Sequence, residues 1–587
     1  MSDSQTAKSA GWKAVIAEMF EGAREAAFRF PVTAFCLFLL AADTNLHIAD
    51  IFWFFDIGWH LSLSLLAAVM ASLAATLWCE ANGKSFGLSI AISAACAVLA
   101  GVAVWYADQT RAWEFVILPA LAGLVVIAPY LWRGTSGTFW LFAARLVFAV
   151  MLGGLALLLG AGGVSAIFAS LQFLFGVDIP EEYYLYLWST VGLFLAPLFG
   201  LGRLPSRYNE QVVADSRQYM SLGMRALGDF VAAPLLIIYA LILHAYAAKV
   251  LLTGEVPKNQ IGWLVLGYGF CVFGSLLLTA PFWSVARAPM RLFLKVWPFV
   301  MPVPLALLFY AASLRISQYG ITPERYLLVL YGSVATLVVL AQLAKPLRGD
   351  IRLIVALPVL ALCIASFGPQ GVIGASVNSQ VQRFQQLIAS QPIDRQTEAE
   401  AVSALRFLAR YNGLVRVKPD DLVLEERKPW RRRYDYENLK RVAEAYGLDP
   451  DIYSDRNANL AFYRYFQQGR ALDSAGFDLI QPQVHLFENR AGNAKRIVKL
   501  PEGDLELSLS QNVISAKWRE QIHSFEISED RILQLADAPS ADPQSVDLRS
   551  GAKHIRLLMW NLNGERLPEP KITNMSATLL VRSADWP

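Results

Sequence analysis

Ionisable side chains inside apolar segments are the first candidates for chemistry in this chain. Placing such a group among apolar residues is costly, so it usually serves a function and has a partner. A proton carrier or a residue that lines an ion pathway would be of this kind. Four residues within long apolar runs meet this description: Asp43, Arg145, Asp229 and His244.

Each of these four residues also has a structural interpretation. Arg145 lies near one end of its run, from which a long side chain can reach lipid phosphates. Asp229 follows Gly228 and suits the first turn of a helix. His244 can pack between helices, and the polar residues around Asp43 are equally compatible with an interfacial loop.

A second kind of candidate is a basic and aromatic segment in the C-terminal part of the chain. The segment Lys428-Pro-Trp-Arg-Arg-Arg-Tyr-Asp-Tyr436 contains Arg431, Arg432 and Arg433 in succession. Guanidinium groups donate paired hydrogen bonds to anions, so the segment could bind anionic lipid headgroups, acidic glycans or phosphate. The structural alternative is a solvated loop before a helix, because charge runs are commonly just hydrated.

The sequence lacks the motifs that define common enzyme classes. It contains no GxxxxGK[ST] loop, no Gly-x-Ser-x-Gly and no HExxH, and its six histidines show no paired metal spacing. All five cysteines lie in apolar runs, which argues against a zinc site or a disulfide framework. We therefore expect no metal and no cofactor, and a function other than catalysis is favoured while the enzyme question stays open.

Charge is distributed unevenly along the 587 residues, of which 55% are hydrophobic. Residues 369–587 hold 29 Lys/Arg and 29 Asp/Glu, which leaves 22 and 19 of the chain totals of 51 and 48 for residues 1–368. The apolar part predicts a membrane domain, and the charged part is long enough for a soluble domain with its own core. The net charge of +3 gives no indication of a nucleic-acid partner.

The apolar part divides into about eleven runs that approach the ~20 residues of a membrane-crossing helix. Residues 163–176 are shorter and predict a separate interfacial or re-entrant helix. Residues 1–30 predict an amphipathic helix on the membrane surface, since apolar side chains recur there at helical spacing up to Pro31. The runs are 31–49, 59–79, 86–106, 114–132, 138–160, 183–202, 229–251, 260–282, 294–314, 324–344 and 351–368.

Basic residues in the links between these runs indicate an orientation. With the N-terminus in the cytoplasm, sixteen Lys/Arg fall in inside links and five in outside links, as the positive-inside rule requires. Eleven spans then place the C-terminal domain on the extracytoplasmic side. One span more or fewer would reverse that side.

The C-terminal part changes its pattern near residue 476. Residues 369–475 predict a helical segment with helices at 380–388, 397–411, 436–446 and 457–466, the second capped by Thr397 and Glu400. Residues 476–587 predict a β-rich, sandwich-like domain, because apolar and polar residues alternate in short segments. The expected strands are 484–488, 505–509, 524–528, 555–560 and 577–582.

A polar link between two long runs, Arg315 to Tyr326, has the features of a tight turn. Gly320 can adopt positive φ, Thr322 can cap a helix that begins at Pro323, and Glu324 faces the positive end of its dipole. Tyrosines and arginines on both sides suit the boundary between lipid and water. An ordinary interfacial turn explains these features as well as a functional site does.

The same link carries a resemblance to a known family. The octapeptide Tyr319-Gly-Ile-Thr-Pro-Glu-Arg-Tyr326 resembles the signature of the bacterial multi-spanning family called domain of unknown function 4153. Shorter pieces are similar as well, over roughly residues 28–390. The resemblance implies a bacterial inner-membrane protein with the signature residues Tyr319, Gly320, Thr322, Pro323, Glu324, Arg325 and Tyr326, and it implies no activity. The shorter pieces are Phe28–Pro31, Leu174–Gly176, Leu204–Pro205, Tyr239–Tyr246 with Gly254 and Pro257, Gly368–Pro369, and Ser379–Gln380 with Arg383.

The sequence thus predicts a polytopic α-helical membrane bundle of about eleven transmembrane helices at 31–368, followed by a soluble α+β domain. Its first functional hypothesis is a transport or envelope-assembly component with an exported C-terminal domain. The alternatives are a signalling or scaffold protein without cargo, and a membrane enzyme that acts on a lipid-linked substrate. The expected partners are the lipid bilayer and an envelope protein, lipid or glycan, and no nucleic acid.

Overall fold

The fold is described here from a computed structural model. It describes residues 22–586 except 50–58, 107–113, 210–225, 254–260, 391–392, 426–434, 451–460, 466–473, 475, 488–495, 501–502, 511, 539–543 and 566–569. The chain forms two compact units, Met1–Gln385 with Arg406–Asn438, and Gln386–Leu405 with Leu439–Pro587. Residues 11–21 of the expected N-terminal amphipathic helix lie outside the described residues, whereas 22–29 are helical.

The first unit is built mainly from apolar helices. Two π-helical turns, Val191–Leu195 and Leu227–Ala232, interrupt them. The helices are α1 (Pro31–Ile48), α2 (Trp59–Ala81), α3 (Phe86–Trp105), α4 (Glu114–Ile127), α5 (Ser136–Phe175), α6 (Glu181–Thr190), α7 (Ala196–Leu201), α8 (Ala233–Thr253), α9 (Ile261–Thr279), α10 (Ala288–Val300), α11 (Pro302–Tyr319), α12 (Pro323–Leu343) and α13 (Leu353–Ala365).

Each of the eleven predicted runs coincides with one of these helices or a continuous pair of them. Among the described residues, nine helical stretches are long and apolar enough to cross a membrane. The remaining two, Phe115–Tyr130 and Leu353–Ala365, are apolar but shorter. The fold is therefore a multi-spanning helical bundle, as predicted, and length and composition support nine spans in the part of the chain that the structure describes.

Helix α5 corrects the prediction for residues 163–176. Instead of a separate short helix, these residues continue α5, which runs without a break for 40 residues from Ser136 to Phe175. The glycines near its middle do not end it, because a backbone without water nearby keeps its hydrogen bonds within the helix. It ends at Gly176, which adopts φ +64°. At 1.5 Å per residue α5 is ~60 Å long, about twice the thickness of the hydrocarbon core.

Small residues bring α5 and α7 into close contact. A Cβ on Gly153 would lie 3.1 Å from the carbonyl oxygen of Ala196, and a Cβ on Gly200 would lie 3.1 Å from that of Ala149. Each helix thus presents an Ala-x-x-x-Gly pair to the other. Such pairs let two backbones approach closely, which is how helices gain van der Waals contact where lipid removes the hydrophobic driving force.

Three more helices follow the bundle: α14 (Val372–Ala389), α15 (Arg395–Arg410) and α16 (Tyr436–Ala445). They cover three of the helices predicted for the segment after residue 369. The expected cap at Thr397 and Glu400 is wrong, because α15 begins two residues earlier. There the Asp394 side chain accepts a hydrogen bond from the Thr397 backbone N–H at 2.8 Å.

The rest of the second unit contains two antiparallel sheets and helix α17 (Glu529–Asp537). One sheet has the order β1-β8-β9-β2 with β7 also paired to β8, and the other has the order β3-β4-β5-β6. The strands are β1 (Ala461–Tyr465), β2 (Leu479–Phe487), β3 (Arg496–Leu500), β4 (Gly503–Ser510), β5 (Val513–Trp518), β6 (Gln521–Glu526), β7 (Gln544–Ser550), β8 (Lys553–Glu565) and β9 (Lys571–Val581).

Buried side chains from both sheets belong to one continuous core. Leu507 and Ile514 of one sheet, Leu557 and Leu579 of the other, and Trp586 at the chain end are members of it. Trp586 contacts Trp518, His523 and Phe525 edge-on or at a tilt. The two sheets therefore exclude water from the same space, as an α+β domain requires.

The predicted helix at 457–466 is wrong over its described residues, since 461–465 form strand β1. β1 pairs with the end of β8, so that Ala461 lies opposite Glu565. Strands β3, β5 and β7 and helix α17 were not among the predicted elements. Each of these strands pairs with a predicted one, β3 and β5 with β4 and β7 with β8.

The α5–α7 contact can be tested by substituting two adjacent glycines. We expect Gly153→Val to lower the free energy of unfolding by about 1–3 kcal/mol, because its side chain must displace the Ala196 carbonyl. Gly154→Val is the matched control, since no described atom lies within 4 Å of a Cβ there. Thermal unfolding of the two variants in detergent provides the comparison, and equal losses would contradict this packing.

Candidate functional site

The link between α11 and α12 has the tight geometry that its sequence predicts. Gly320 adopts φ +70° and ψ −179° and accordingly ends α11. Helix α12 begins at Pro323 with Thr322 as its N-cap residue. Within the described chain the Thr322 hydroxyl makes no capping hydrogen bond, so the proposed side-chain cap is wrong, while the Thr322 carbonyl accepts from Tyr326 N–H at 2.9 Å.

Helix α14 holds the link in place through side-chain hydrogen bonds. The buried Gln380 donates from Nε2 to the carbonyl oxygens of Tyr319, at 2.9 Å, and Ile321, at 3.2 Å. Ser379 Oγ accepts from the Ile321 N–H at 2.9 Å. The amide of Gln380 lies where a side chain on residue 320 would point, only 2.8 Å from a Cβ built there. A glycine at position 320 therefore leaves the space that the Gln380 side chain occupies.

Arginines from two elements stack on the Tyr319 ring. The Arg325 Cζ lies 5.3 Å and the Arg383 Cζ 5.9 Å from the ring centroid. Arg325 also donates from Nη1 to the Gly320 carbonyl at 2.7 Å. Tyr326 donates its hydroxyl to the Gln370 carbonyl at 2.8 Å. The structure therefore joins the octapeptide to Gln370, Ser379, Gln380 and Arg383, about 60 positions further along the chain, and we call this assembly the link site.

Asp43 is buried at one end of α1 beside α2. Its Oδ2 accepts a hydrogen bond from Ser62 Oγ at 2.7 Å, and its Oδ1 lies 3.6 Å from His47 Nδ1. Two residues further along, Asn45 Nδ2 donates to Thr190 Oγ1 at 2.9 Å, next to the first π-helical turn. Asp43 thus lies within helix α1, in a polar cluster near the helix end, and not in a loop.

The other three polar candidates have separate partners. Asp229 is buried in the second π-helical turn, where its Oδ1 accepts from the Arg287 backbone N–H at 3.1 Å and so anchors the start of α10. His244 donates from Nδ1 to the Ala240 carbonyl of its own helix at 2.8 Å. Arg145 is half-buried on α5 and is an electrostatic neighbour of Tyr130. These contacts give Asp229 and His244 structural roles.

One polar cluster was missed at the sequence level. Arg29 forms a two-point ion pair with Glu80, at 2.9 and 2.8 Å, and donates to the carbonyls of Leu204 and Pro205. Tyr208 donates to the same carboxylate. Burial acts to lower the pKa of Arg29, but the Glu80 carboxylate raises it by more. Burial and the nearby Glu80 carboxylate both raise the pKa of Tyr208. The signal available in the sequence was the pairing of Phe28–Pro31 with Leu204–Pro205, two pieces of one family pattern.

A second ion pair lies in the link before α13. Arg352 holds Asp350 by two side-chain contacts, Nε to Oδ1 at 2.9 Å and Nη2 to Oδ2 at 2.6 Å. Its Nη1 donates to the carbonyls of Arg133 and Gly134 at 2.8 Å. Burial opposes ionisation of Asp350, but these hydrogen bonds outweigh it and hold the pKa of the carboxyl below its usual value. Two distant links of the bundle are thereby tied together.

Two apolar cavities lie among the helices. The larger, about 490 Å³, is enclosed by α2, α3, α4 and the end of α13, and we call it the α4 cavity. Seven alanines, among them Ala75, Ala100 and Ala120, leave the space that larger side chains would fill. The smaller, about 370 Å³, lies between α1, α2, α5 and the α6–α7 segment. Both volumes fall within the range of ligand pockets.

Arg431, Arg432 and Arg433 lie outside the described residues. Among the residues that the structure describes, no group of three or more His, Cys, Asp or Glu side chains is arranged to hold a metal ion.

Helices of bilayer length, apolar on their outer surface and polar at their ends, define a multi-pass integral membrane protein. The chain belongs to the family described as "Domain of unknown function (DUF4153)", whose sequence model matches residues 32–406, and the resemblance carried by the link is thereby confirmed. It is 29% identical over 187 residues to an uncharacterized protein of Pasteurella multocida (strain Pm70). That alignment covers 31% of this chain and 30% of the relative. No solved structure matches.

The anchor of the link site can be tested at two glutamines of α14. We expect Gln380→Leu to lower the free energy of unfolding by about 1–3 kcal/mol, because the Tyr319 and Ile321 carbonyls lose their donor. Gln382→Leu, at an exposed position two residues away, is the control and should have little effect. Thermal unfolding in detergent measures both. Equal stability of the two variants would mean that Gln380 does not hold the link.

Proposed function

We propose that this protein is a transport or envelope-assembly component that takes the apolar chain of a lipid-like molecule into the α4 cavity. The cavity is the observation that carries the proposal. Its lining is almost wholly apolar, and it extends along α4 from Ile117 to Leu124, a rise of ~11 Å, and past the end of this helix to Leu131. An elongated apolar space inside a membrane bundle fits an alkyl chain better than a polar solute.

The position of the cavity also supports access from the bilayer. Leu99 of α3 lines the cavity and is 69% exposed on the outer surface of the bundle. Phe367 lines the cavity beyond α13 and is likewise exposed. An amphiphile could therefore enter sideways from the lipid without crossing a polar barrier.

The cavity and the link site are adjacent along the chain. Phe367, at the edge of the cavity, precedes Gln370 by three residues, and the Gln370 carbonyl accepts the Tyr326 hydroxyl. A molecule with an apolar chain and a polar head could thus have its head near the link.

Asp43 and Arg145 remain proposed polar groups of the membrane interior, and the Arg431–Arg433 segment remains a proposed anion-binding segment.

We place the protein in the bacterial inner membrane, with the N-terminus in the cytoplasm. The bacterial relative and the excess of basic residues in alternate links support this orientation. Residues 31–368 would form the membrane domain, 369–475 a helical segment and 476–587 an exported sheet domain. An envelope protein, lipid or glycan would be the partner of the exported part.

Filling the cavity tests the proposed function. We expect Ala100→Trp to reduce the amount of lipid that co-purifies with the full-length protein by several-fold, because the indole occupies space meant for an alkyl chain. Ala95→Trp is the matched control, since Ala95 lies on the same helix with its side chain exposed. Native mass spectrometry counts the bound lipids. Equal lipid retention in both variants would exclude this cavity and favour a scaffold without cargo.

The side of the sheet domain is tested by labelling. Ala552 is exposed in the turn between β7 and β8, so Ala552→Cys provides a reporter for a membrane-impermeant maleimide. We expect labelling of intact cells above the wild-type background. Labelling only after lysis would place the domain in the cytoplasm and would require an even number of spans.

A further inference from the structure

Two neighbouring rows of side chains on the five-stranded sheet of the second unit face away from its core. Each row joins directly opposite residues of β2, β9 and β8, and the second row lies two residues from the first along every strand. The row between them, Leu486, Met575 and Leu562, belongs to the core, so alternation along the strands turns both rows outward. The first row is His485, Ser576 and Asn561, and the second row is Phe487, Asn574 and Asn563.

The chemistry of these rows differs from that of an ordinary solvated sheet face. The six side chains are amides, a hydroxyl, an imidazole and a phenyl ring, and none of the six is Lys, Arg, Asp or Glu. The outer face of the other sheet carries charges instead, with Glu506 opposite Lys517 and Lys499 opposite Asp504. Depletion of charge together with aromatic residues is typical of surfaces that bind a partner. We call the two rows and the adjoining Trp560 the amide face.

Trp560 gives the amide face a fixed aromatic ring. It is the extra residue of a β-bulge in β8, between Met559 and Asn561, and a bulge changes the direction of a side chain. Its Nε1 donates a hydrogen bond to Thr578 Oγ1 at 2.8 Å, and the residue is half-buried. The negative face of an indole attracts C–H groups, which the faces of a sugar ring present.

Hydrogen bonds along each row hold polar side chains in position. Asn563 Nδ2 donates to Asn574 Oδ1 at 2.8 Å, and His485 Nδ1 lies 2.6 Å from Ser576 Oγ. His485 is exposed, so its second ring nitrogen can reach a ligand. Side chains that are already held in place lose little entropy when a ligand binds.

Two amide oxygens of the face have no donor within the part of the chain that the structure describes. Asn561 Oδ1 and Asn563 Oδ1 are shielded from water and accept no hydrogen bond there. A shielded acceptor without a donor is costly, so a molecule that supplies hydroxyl donors would be stabilised on this face. Asn561 is only half-buried, so rotation of its amide can bring the oxygen to a bound hydroxyl group.

We propose that the amide face binds the uncharged sugars of an envelope glycan. Asparagine side chains both donate and accept hydrogen bonds, as sugar hydroxyl groups do. Trp560 and Phe487 supply apolar surfaces for the faces of the sugar rings. Rows without Lys or Arg offer no counter-charge to an acidic polymer, which favours neutral sugars. A glycan is one of the partners that the proposed function assigns to the exported domain, on which this inference rests.

The test uses the full-length protein in an oxyethylene detergent, because maltoside and glucoside detergents carry sugars themselves. Isothermal titration calorimetry measures the binding of three probes: chitotetraose, maltotetraose and tetragalacturonate. We expect at least one of the two neutral tetrasaccharides to bind, with an affinity that salt leaves unchanged because no ion pair forms. The acidic tetragalacturonate should bind more weakly.

Variants assign the binding to the amide face. We expect Trp560→Ala to lower the affinity about tenfold and Phe487→Ala several-fold, because each removes an aromatic surface. His485→Ala should weaken binding several-fold through the loss of a hydrogen bond. Ile522→Ala is the matched control, since it removes a similarly exposed apolar side chain opposite Lys517 on the other sheet. If Trp560→Ala does not fold, Phe487→Ala and His485→Ala carry the comparison, because both side chains are exposed.

Three results would overturn the proposal. They are the absence of binding of both neutral sugars at millimolar concentration, equal binding by the wild type and all the face variants, and tighter binding of tetragalacturonate that is lost at high salt. In the last case charge would recognise the ligand. Ala100→Trp should bind the sugars like the wild type, and Trp560→Ala should retain lipid like the wild type. A failure of the glycan site is therefore distinguishable from a failure of the α4 cavity.

Discussion

Satisfaction of backbone hydrogen bonds in the absence of water is the constraint on which the rest of this structure depends. Each unpaired N–H or C=O group in hydrocarbon costs several kcal/mol, so the apolar runs of the bundle are helical where the structure describes them. The constraint explains why α5 continues through Gly160, Gly162 and Gly163 to residue 175. It also explains why the turn between α11 and α12 requires a side chain from another helix. Gln380 of α14 supplies the N–H donor for two carbonyl oxygens of the turn.

Charge is placed at the ends of the helices and is tied there by arginine. Arg29 and Arg352 each form an ion pair with a carboxylate and donate hydrogen bonds to carbonyls of a distant link. Each arginine therefore neutralises a carboxylate and stabilises the conformation of that link. Guanidinium suits this task because it offers several donors in a fixed plane. At the link site, Arg325 and Arg383 lie over the Tyr319 ring, and Arg325 donates to the Gly320 carbonyl, so guanidinium groups hold a turn there as well.

Small side chains serve two opposite purposes in the bundle. Gly153 and Gly200 lie where α5 and α7 touch, and there the absence of a side chain brings two backbones together. Ala75, Ala100 and Ala120 face a common space that no larger side chain fills, and their small size leaves the α4 cavity. Packing in membranes relies on van der Waals contact, so a cavity of this size represents contact that the fold forgoes. The loss of these packing contacts is the reason why we propose that a ligand occupies the cavity.

The sequence determined the features that depend on nearby residues. Apolar runs of bilayer length located the membrane helices that the structure describes, Pro323 marked the start of α12, and alternation located β2, β4, β6, β8 and β9. Helix periodicity, turn chemistry and the length of a span are properties of a few consecutive residues. The family could be recognised from one octapeptide for the same reason.

Tertiary structure decided the features that depend on residues far apart in the chain. Residues 461–465 form a strand because β8 offers an edge, and residues 163–175 extend α5 beside α6, where Phe168 contacts Tyr184 and Ser165 accepts from Trp188. Arg383 joins Arg325 at Tyr319 only because α14 folds back onto the link. The sequence contained these residues, but packing between separate elements sets their partners, and no local pattern encodes those contacts.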